Sequence, residues 1–232
     1  MDRADFRVGP DPAARVAHDM AELVRDVAAE RGRVVLCLAG GSTPLPAYRA
    51  LAERGDLPWS RVWIAWGDER DVPPDHPDRN ERAAREALLH HVPVPEEQIV
   101  PWPYLPDADP DDLAEAYADA LRRAFGDPER ASWFDLTLLG LGADAHTASL
   151  FPGTGAATAP GLTVAVGRDD GTGRLSLAPA GLNASDRVWF LIEGEAKRKA
   201  LRATVAGGAP DRVPAAGIGG RLETRVYTDL EL

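Results

Sequence analysis

Residues 33–51 read RVVLCLAGGSTPLPAYRAL. From Val34 to Ala39 the run holds no charged or strongly polar residue. A strand with one wet face alternates apolar and polar, so an unbroken run reads as a strand covered on both faces. Gly40 and Gly41 end it. Pro44 then opens a helix that carries Leu45, Tyr48 and Leu51 on one side. Strand, glycine turn and helix in so short a span make half of a βαβ unit, and such units build parallel sheets.

The same alternation runs outward in both directions. Asp11-Pro12 is a helix cap and first turn, Val16, Met20, Val24 and Val27 follow at helical spacing, and Gly32 closes the helix. RVWIAWG (61–67) and FDLTLLG (134–140) read as further buried strands. Asn80–Leu89 reads as a helix, EQIVPW (97–102) as a short strand, and Asp109-Pro110 as the start of a helix bearing Leu113, Tyr117 and Leu121. LTVAVG (162–167), RLSLA (174–178), RVWFLIEG (187–194) and ETRVYTDL (223–230) read as strands, with a helix over EAKRKALRATVA (195–206). The expected fold is α/β: a three-layer, mainly parallel, doubly wound, Rossmann-like sheet, with the whole of 1–232 as a single domain. Residues 154–186 depart from the pattern. They hold short strands and glycine turns without a clear helix, and read either as a sheet extension or as an antiparallel insert.

Composition narrows the function. The chain has 232 residues, 44% of them apolar and 27% charged, with a net charge of −11. An acidic balance argues against a nucleic-acid binder, while a local cluster of donors can still hold a small anion. No run approaches the roughly 18 apolar residues of a membrane span, and the start has no apolar signal region. The expectation is a cytoplasmic protein with neither nucleic acid nor membrane as partner. The lone Cys37 sits among apolar residues and reads as a small buried hydrophobe.

In an open α/β sheet, ligands bind beyond the carboxyl ends of the strands. Three loops there stand out. In the first, Gly40 and Gly41 let the backbone approach a ligand, Ser42 and Thr43 offer hydroxyls, and the helix start offers free N–H groups. Together these make a seat for phosphate, although Ser or Thr before Pro is also an ordinary helix start. The lysine of a Walker A loop is missing. The second, WGDERDVPPDHPDRN (66–80), places Asp68, Glu69 and Arg70 directly after a buried strand. Its carboxylates can order a loop or orient a histidine, and its arginine can hold phosphate or an oxyanion. The third, GLGADAHTASLFPG (140–153), places His146 on a small-residue turn flanked by Thr147 and Ser149. Of the five histidines (His18, His76, His90, His91 and His146), it alone follows a buried strand in this way. Gly140–Ala145 also fits the loose dinucleotide pattern Gly-x-Gly-x-x-Gly/Ala, without the acidic residue expected about 20 positions on. There is no Gly-x-Ser-x-Gly elbow and no Cys/His metal spacing. The three loops point to metal-free acid/base chemistry on a phosphorylated small molecule.

GGSTP (40–44), DER (68–70) with a following proline and Asn80, Gly-x-Gly-x-Asp-x-HTASLFP (140–152), and a late Arg174-x-x-Leu with Leu182-Asn183 occur in one order. In this the chain resembles the 6-phosphogluconolactonase family from about Gly40 to about Lys197. Deaminases of glucosamine 6-phosphate share the fold but resemble DEY and GHIAFNEP in the equivalent loops. The resemblance implies hydrolysis of 6-phospho-D-glucono-1,5-lactone in the oxidative pentose phosphate pathway, with no cofactor. It implies His146 as general base, with Asp68 and Arg70 in the catalytic group. It further implies Gly40, Gly41, Ser42, Thr43, Arg70, Asn80, Gly142, Asp144, Arg174 and Lys197 around the substrate, and Asp144 ordering the histidine loop. Three rival readings remain: an amino-sugar-phosphate deaminase or isomerase, a non-catalytic sugar-phosphate sensor, and a dinucleotide oxidoreductase. Two departures matter. The family's glycine before the histidine is Ala145 here, and alanine at positive φ costs about 1 kcal/mol, so a negative φ is expected. The segment LNASDRV lacks the arginine usual after LN, and Arg187 is the nearest basic residue.

Overall fold

The computed structural model describes residues 4–129, 131–167 and 173–231. Nine strands and six helices alternate along it: β1 (Asp5–Val8), α1 (Pro12–Arg31), β2 (Val34–Leu38), α2 (Leu45–Ala52), β3 (Val62–Trp66), β4 (Asp68–Arg70), α3 (Asn80–Ala87), α4 (Pro110–Phe125), β5 (Phe134–Leu139), β6 (Thr163–Val166), β7 (Arg174–Leu177), α5 (Pro179–Leu182), β8 (Ser185–Ile192), α6 (Arg198–Ala206) and β9 (Glu223–Thr228). Six strands form one parallel sheet in the order β1-β9-β8-β5-β2-β3, flanked by helices. Every residue of β2 and of β5 is buried; β2 is apolar throughout, while β5 buries Asp135 and Thr137 among its apolar residues. Each large aliphatic or aromatic side chain placed there contributes roughly 1.5–3 kcal/mol over exposure.

The helix starts follow the sequence. The Asp11 carboxylate accepts from the Ala14 N–H at 3.0 Å, and Gly32, at φ 77°, returns its N–H to Ala28 O. Val16, Met20, Val24 and Val27 form the buried stripe.

Four expectations change. Strand β1 was not foreseen, because Asp-Phe-Arg-Val has no apolar run; it is an edge strand held by β9. EQIVPW is not a strand. Glu96–Gln98 form a 3₁₀ turn, and a single bridge joins Ile99 to Ile64. Pro101 has no N–H with which to continue a ladder. Asp68–Arg70, read as loop, is strand β4. It pairs antiparallel with β7, which pairs antiparallel with β6, giving a separate three-stranded sheet β4-β7-β6. Within 154–186, β6 and β7 thus belong to an antiparallel sheet rather than an extension of the main one, and the short helix α5 follows them. The helix expected over Asn80–Leu89 stops at Ala87, and Leu89–His91 form a 3₁₀ turn.

Strands β2 and β5 are neighbours, and the chain leaves them in opposite directions, toward β3 on one side and β8 on the other. That is a topological switch point, where two loops diverge and leave a crevice. The glycine loop follows β2 and the histidine loop follows β5. Among the described residues, no helix is long and apolar enough to cross a membrane.

Candidate active site

Two buried tyrosines hold the ends of the strands that enter the site. Tyr48 of α2 accepts from the Ala39 N–H and donates to the Ala39 carbonyl, both at 2.9 Å. Tyr117 of α4 does the same at Trp66, both at 3.0 Å, and Trp102 stacks on its ring. At both points a strand leaves its sheet partners, and side chains take up its buried backbone polar groups; the Trp66 carbonyl also accepts from Trp102 Nε1 at 3.0 Å. Beyond Ala39 the chain turns through Gly41, at φ 82°. Among the described residues, the N–H groups of Gly40, Gly41, Ser42 and Thr43 make no hydrogen bond. Four unpaired amides before a helix start form an anion seat. Gly40 is required for space as well: a Cβ there would lie 2.1 Å from the Asn80 amide carbon.

In β4 the strand alternation sends Asp68 and Arg70 to the cleft wall and Glu69 into the protein. Asp68 accepts a 2.6 Å hydrogen bond from Ser149 Oγ, and its carbonyl accepts from Asn80 Nδ2 at 2.9 Å. Removal from water raises the Asp68 pKa, against the Ser149 hydrogen bond and the charges of Arg70, His146 and Arg174. Glu69 is 1% exposed. It accepts from the N–H groups of Arg70 and Asn80, both at 2.7 Å, and of Glu81 at 2.8 Å. Burial nevertheless pushes its pKa up to about 7, against those three donors and Arg79. Arg79, 2% exposed, donates to the carbonyls of Val72 and Trp102 and so pins the loop 71–79.

The third loop is closed on itself. Gly142 N–H donates to His146 O at 2.8 Å and Ala145 N–H to Gly142 O at 3.0 Å. This closure puts Ala145 at φ 69°, not at the negative φ expected for alanine, and Ala148 at φ 48°. The histidine ring lies so close to Gly142 that a Cβ there would sit 2.1 Å from Nδ1. Asp144 Oδ1 lies 2.6 Å from His146 Nδ1 and also accepts the His146 N–H at 3.1 Å. Partial burial works against the Asp144 charge, yet these bonds and the imidazole's field hold its pKa below the usual carboxylate range. An ionised Asp144 can only accept, so Nδ1 carries the proton and Nε2 the lone pair. Phe151 flanks the ring at 4.6 Å.

A cleft of about 190 Å³ joins the three loops. Gly40, Gly41, Thr43, Asp68, Arg70, Asn80, Gly142, His146 and Lys197, all singled out in the sequence, line it together. Its size is below the roughly 300–1,000 Å³ of drug-sized pockets, which suits one small ligand rather than a dinucleotide. Three expected residues are off the wall. Asp144 acts through His146. Ser42 contributes its backbone turn, its carbonyl accepting from Leu45 N–H. Arg174 stands opposite Arg70 on β7 and acts on Asp68 through its charge. Arg187 lies in a different surface cleft with Asp19 and Arg225. The Gly142 amide, a candidate oxyanion donor, is already committed to His146 O. Ser149 and Ser176 were missed as site residues. Ser176 Oγ accepts the Ser149 N–H at 3.2 Å, so the pair ties the histidine loop to Asp68 and β7. The hydroxyl beside His146 was visible in the sequence; its partner on a distant strand was not.

A switch-point cleft with four unpaired amides and an acid-oriented histidine is the kind of site a doubly wound α/β enzyme uses for a small anionic ligand. The chain belongs to the family described as glucosamine-6-phosphate isomerases/6-phosphogluconolactonase, which it matches over residues 10–227. Within that family, several of its curated relatives are named 6-phosphogluconolactonase. The Synechocystis protein is 44% identical over 81% of this chain and 78% of its own length. The Mycobacterium leprae protein is 36% identical over 90% of this chain and 87% of its own. The crystal structure of 6-phosphogluconolactonase from Thermotoga maritima superposes with a TM-score of 0.86 at 28% identity, covering 97% of this chain and 99% of that one. A monomeric glucosamine-6-phosphate deaminase, 19% identical, shares the fold with a TM-score of 0.80.

Proposed function

We propose that the chain hydrolyses 6-phospho-D-glucono-1,5-lactone to 6-phosphogluconate, in the cytoplasm and without a cofactor. The observation that carries this reading is the 2.6 Å contact between Asp144 and His146 Nδ1, with the His146 ring on the wall of the same cleft as Arg70 and the unpaired amides after β2. Names and similarity of the relatives support the substrate.

The substrate phosphate sits on the Gly40–Thr43 amides with Lys197 beside it. Anchoring it there positions C1 near His146. Nε2 takes a proton from a water molecule as the water oxygen bonds to C1. The carbonyl π electrons move onto oxygen, and Arg70 meets the developing charge. Collapse of that tetrahedral species breaks the bond from C1 to the ring oxygen. The imidazolium returns its proton to the departing oxygen, leaving an open-chain acid and a neutral histidine. Asp68 holds the second loop to the third through Ser149.

General base assistance of this kind is worth roughly 10²–10⁴-fold. In a pH-stat assay corrected for spontaneous lactone opening, His146→Ala therefore loses kcat by that range with KM little changed. Near-wild-type turnover removes His146 as base. Release of ammonia from glucosamine 6-phosphate by the wild-type protein would assign the cleft to a deaminase instead.

A further inference from the structure

We infer that Glu69 is a positioning residue of the cleft, acting from the protein interior through Asn80. Helix α3 begins without a cap of its own, since the Arg79 side chain makes no capping bond. The first N–H groups of a helix need acceptors. Here they come from a distant strand. One oxygen of Glu69 takes Asn80 N–H at 2.7 Å and the other takes Glu81 N–H at 2.8 Å. The carboxylate thus sits at the positive end of the helix, where a negative charge is favoured.

What this does to the cleft follows from Asn80. It is the first residue of α3 and is 5% exposed. Its side chain fills the space that a Cβ on Gly40 would need, and its Nδ2 donates to the Asp68 carbonyl at 2.9 Å. So Asn80 joins the anion seat of the first loop to β4 of the second. Its location is set by where α3 starts, and Glu69 sets that start. Asp68 and Arg70, on either side of Glu69, line the cleft that Glu69 itself does not reach. The same carboxylate accepts Arg70 N–H at 2.7 Å, so one buried group holds both the helix and the arginine-bearing strand.

This inference rests on reading the cleft as the lactone site. Glu69→Gln keeps the shape but leaves one acceptor oxygen and turns an NH₂ toward a backbone N–H, the kind of mismatch that is expensive when buried. Expected is a rise in KM of about tenfold with kcat within about threefold, because seat geometry is disturbed while His146 is not. The discriminating arm is a double-mutant cycle. If Glu69 acts through Asn80, Glu69→Gln adds less than about twofold to KM in an Asn80→Ala background, since coupled sites are not additive. A full tenfold effect in both backgrounds, a wild-type KM in Glu69→Gln, or a Glu69→Gln protein that does not fold overturns the inference. Amide hydrogen exchange on the unmodified protein tests the geometry without substrate: Asn80 and Glu81 N–H are slow to exchange, and fast exchange at both would also overturn it. Absence of lactone hydrolysis by the wild type would count against the proposed function, leaving the exchange result to judge Glu69 by itself.

Discussion

Asp144 Oδ1 lies 2.6 Å from His146 Nδ1 and accepts the backbone N–H of the same histidine. One carboxylate therefore fixes both the tautomer of the ring and its orientation. Asp144→Asn can present its amide N–H to Nδ1, which favours the tautomer with the proton on Nε2, where a base cannot carry it. A loss in kcat of roughly 10- to 100-fold is expected, milder than at a fully buried acid–histidine pair because Asp144 is half exposed. KM should hold within about twofold. Steady-state rates at neutral pH check this; an unaltered kcat would show that the ring keeps its tautomer without Asp144.

Gly142→Ala probes the same ring from the other side. The added methyl would sit 2.1 Å from Nδ1 and 2.5 Å from Asp144 Oδ1. Either the ring or the turn must move by about an ångström, and displacement of that size costs about 10²-fold in rate. The fold should persist, because the clash is confined to the loop. Circular dichroism together with kcat separates the two effects, and wild-type turnover would mean that the ring has room to spare.

Ala145 at φ 69° is a strained residue in a buried turn. Left-handed backbone costs an L-residue roughly 1–2 kcal/mol, which glycine does not suffer. Ala145→Gly should stabilise the protein by about 1 kcal/mol, raising Tm by roughly 2–4 °C for a chain of this size. Thermal unfolding measures it. A lower Tm would mean that the lost methyl packing outweighs the strain.

Glu69 makes stability depend on pH. Its pKa lies at about 7 when folded, against an ordinary 4.5. A carboxyl with a raised folded pKa binds its proton more tightly in the folded state, so its contribution to stability falls as pH rises through that window. It is unpenalised below about 4.5 and fully penalised above about 7, by roughly 3 kcal/mol at about 1.4 kcal/mol per unit. Between pH 5 and pH 8 the unfolding free energy of the wild type should drop relative to that of Glu69→Gln by about 2–3 kcal/mol. Denaturant unfolding at the two pH values tests this, and parallel changes in the two proteins would refute it.

The central sheet was legible because burial on both faces leaves an unbroken apolar run at Val34–Leu38 and a mostly apolar one at Phe134–Leu139. The cleft was legible because glycines and polar residues cluster where those runs stop. Other parts depend on partners far along the chain. Asp68–Arg70 is a strand by virtue of β7, about a hundred residues later, and three charged residues in a row carry no strand signal. Tyr48 and Tyr117 read as members of apolar stripes. Their hydroxyls acquire a role once Ala39 and Trp66 are known to lie at the ends of strands. The expected φ of Ala145 failed for a local reason: the ring of bonds between Gly142 and His146 sets the backbone, and residue type yields to it.

The linkage of Asp68, Ser149 and Ser176 has a bearing on engineering. It fastens the histidine loop to two strands of the smaller sheet that lie far from it in the sequence. A graft that carries His146 and its neighbours into another scaffold without those two anchors would bring the motif and lose its mounting. Transplantable units in this protein are therefore not contiguous segments. The smallest piece that could be exchanged with a relative is the loop together with β4 and β7, so recombination breakpoints placed between residues 70 and 140 would separate parts that have to travel together.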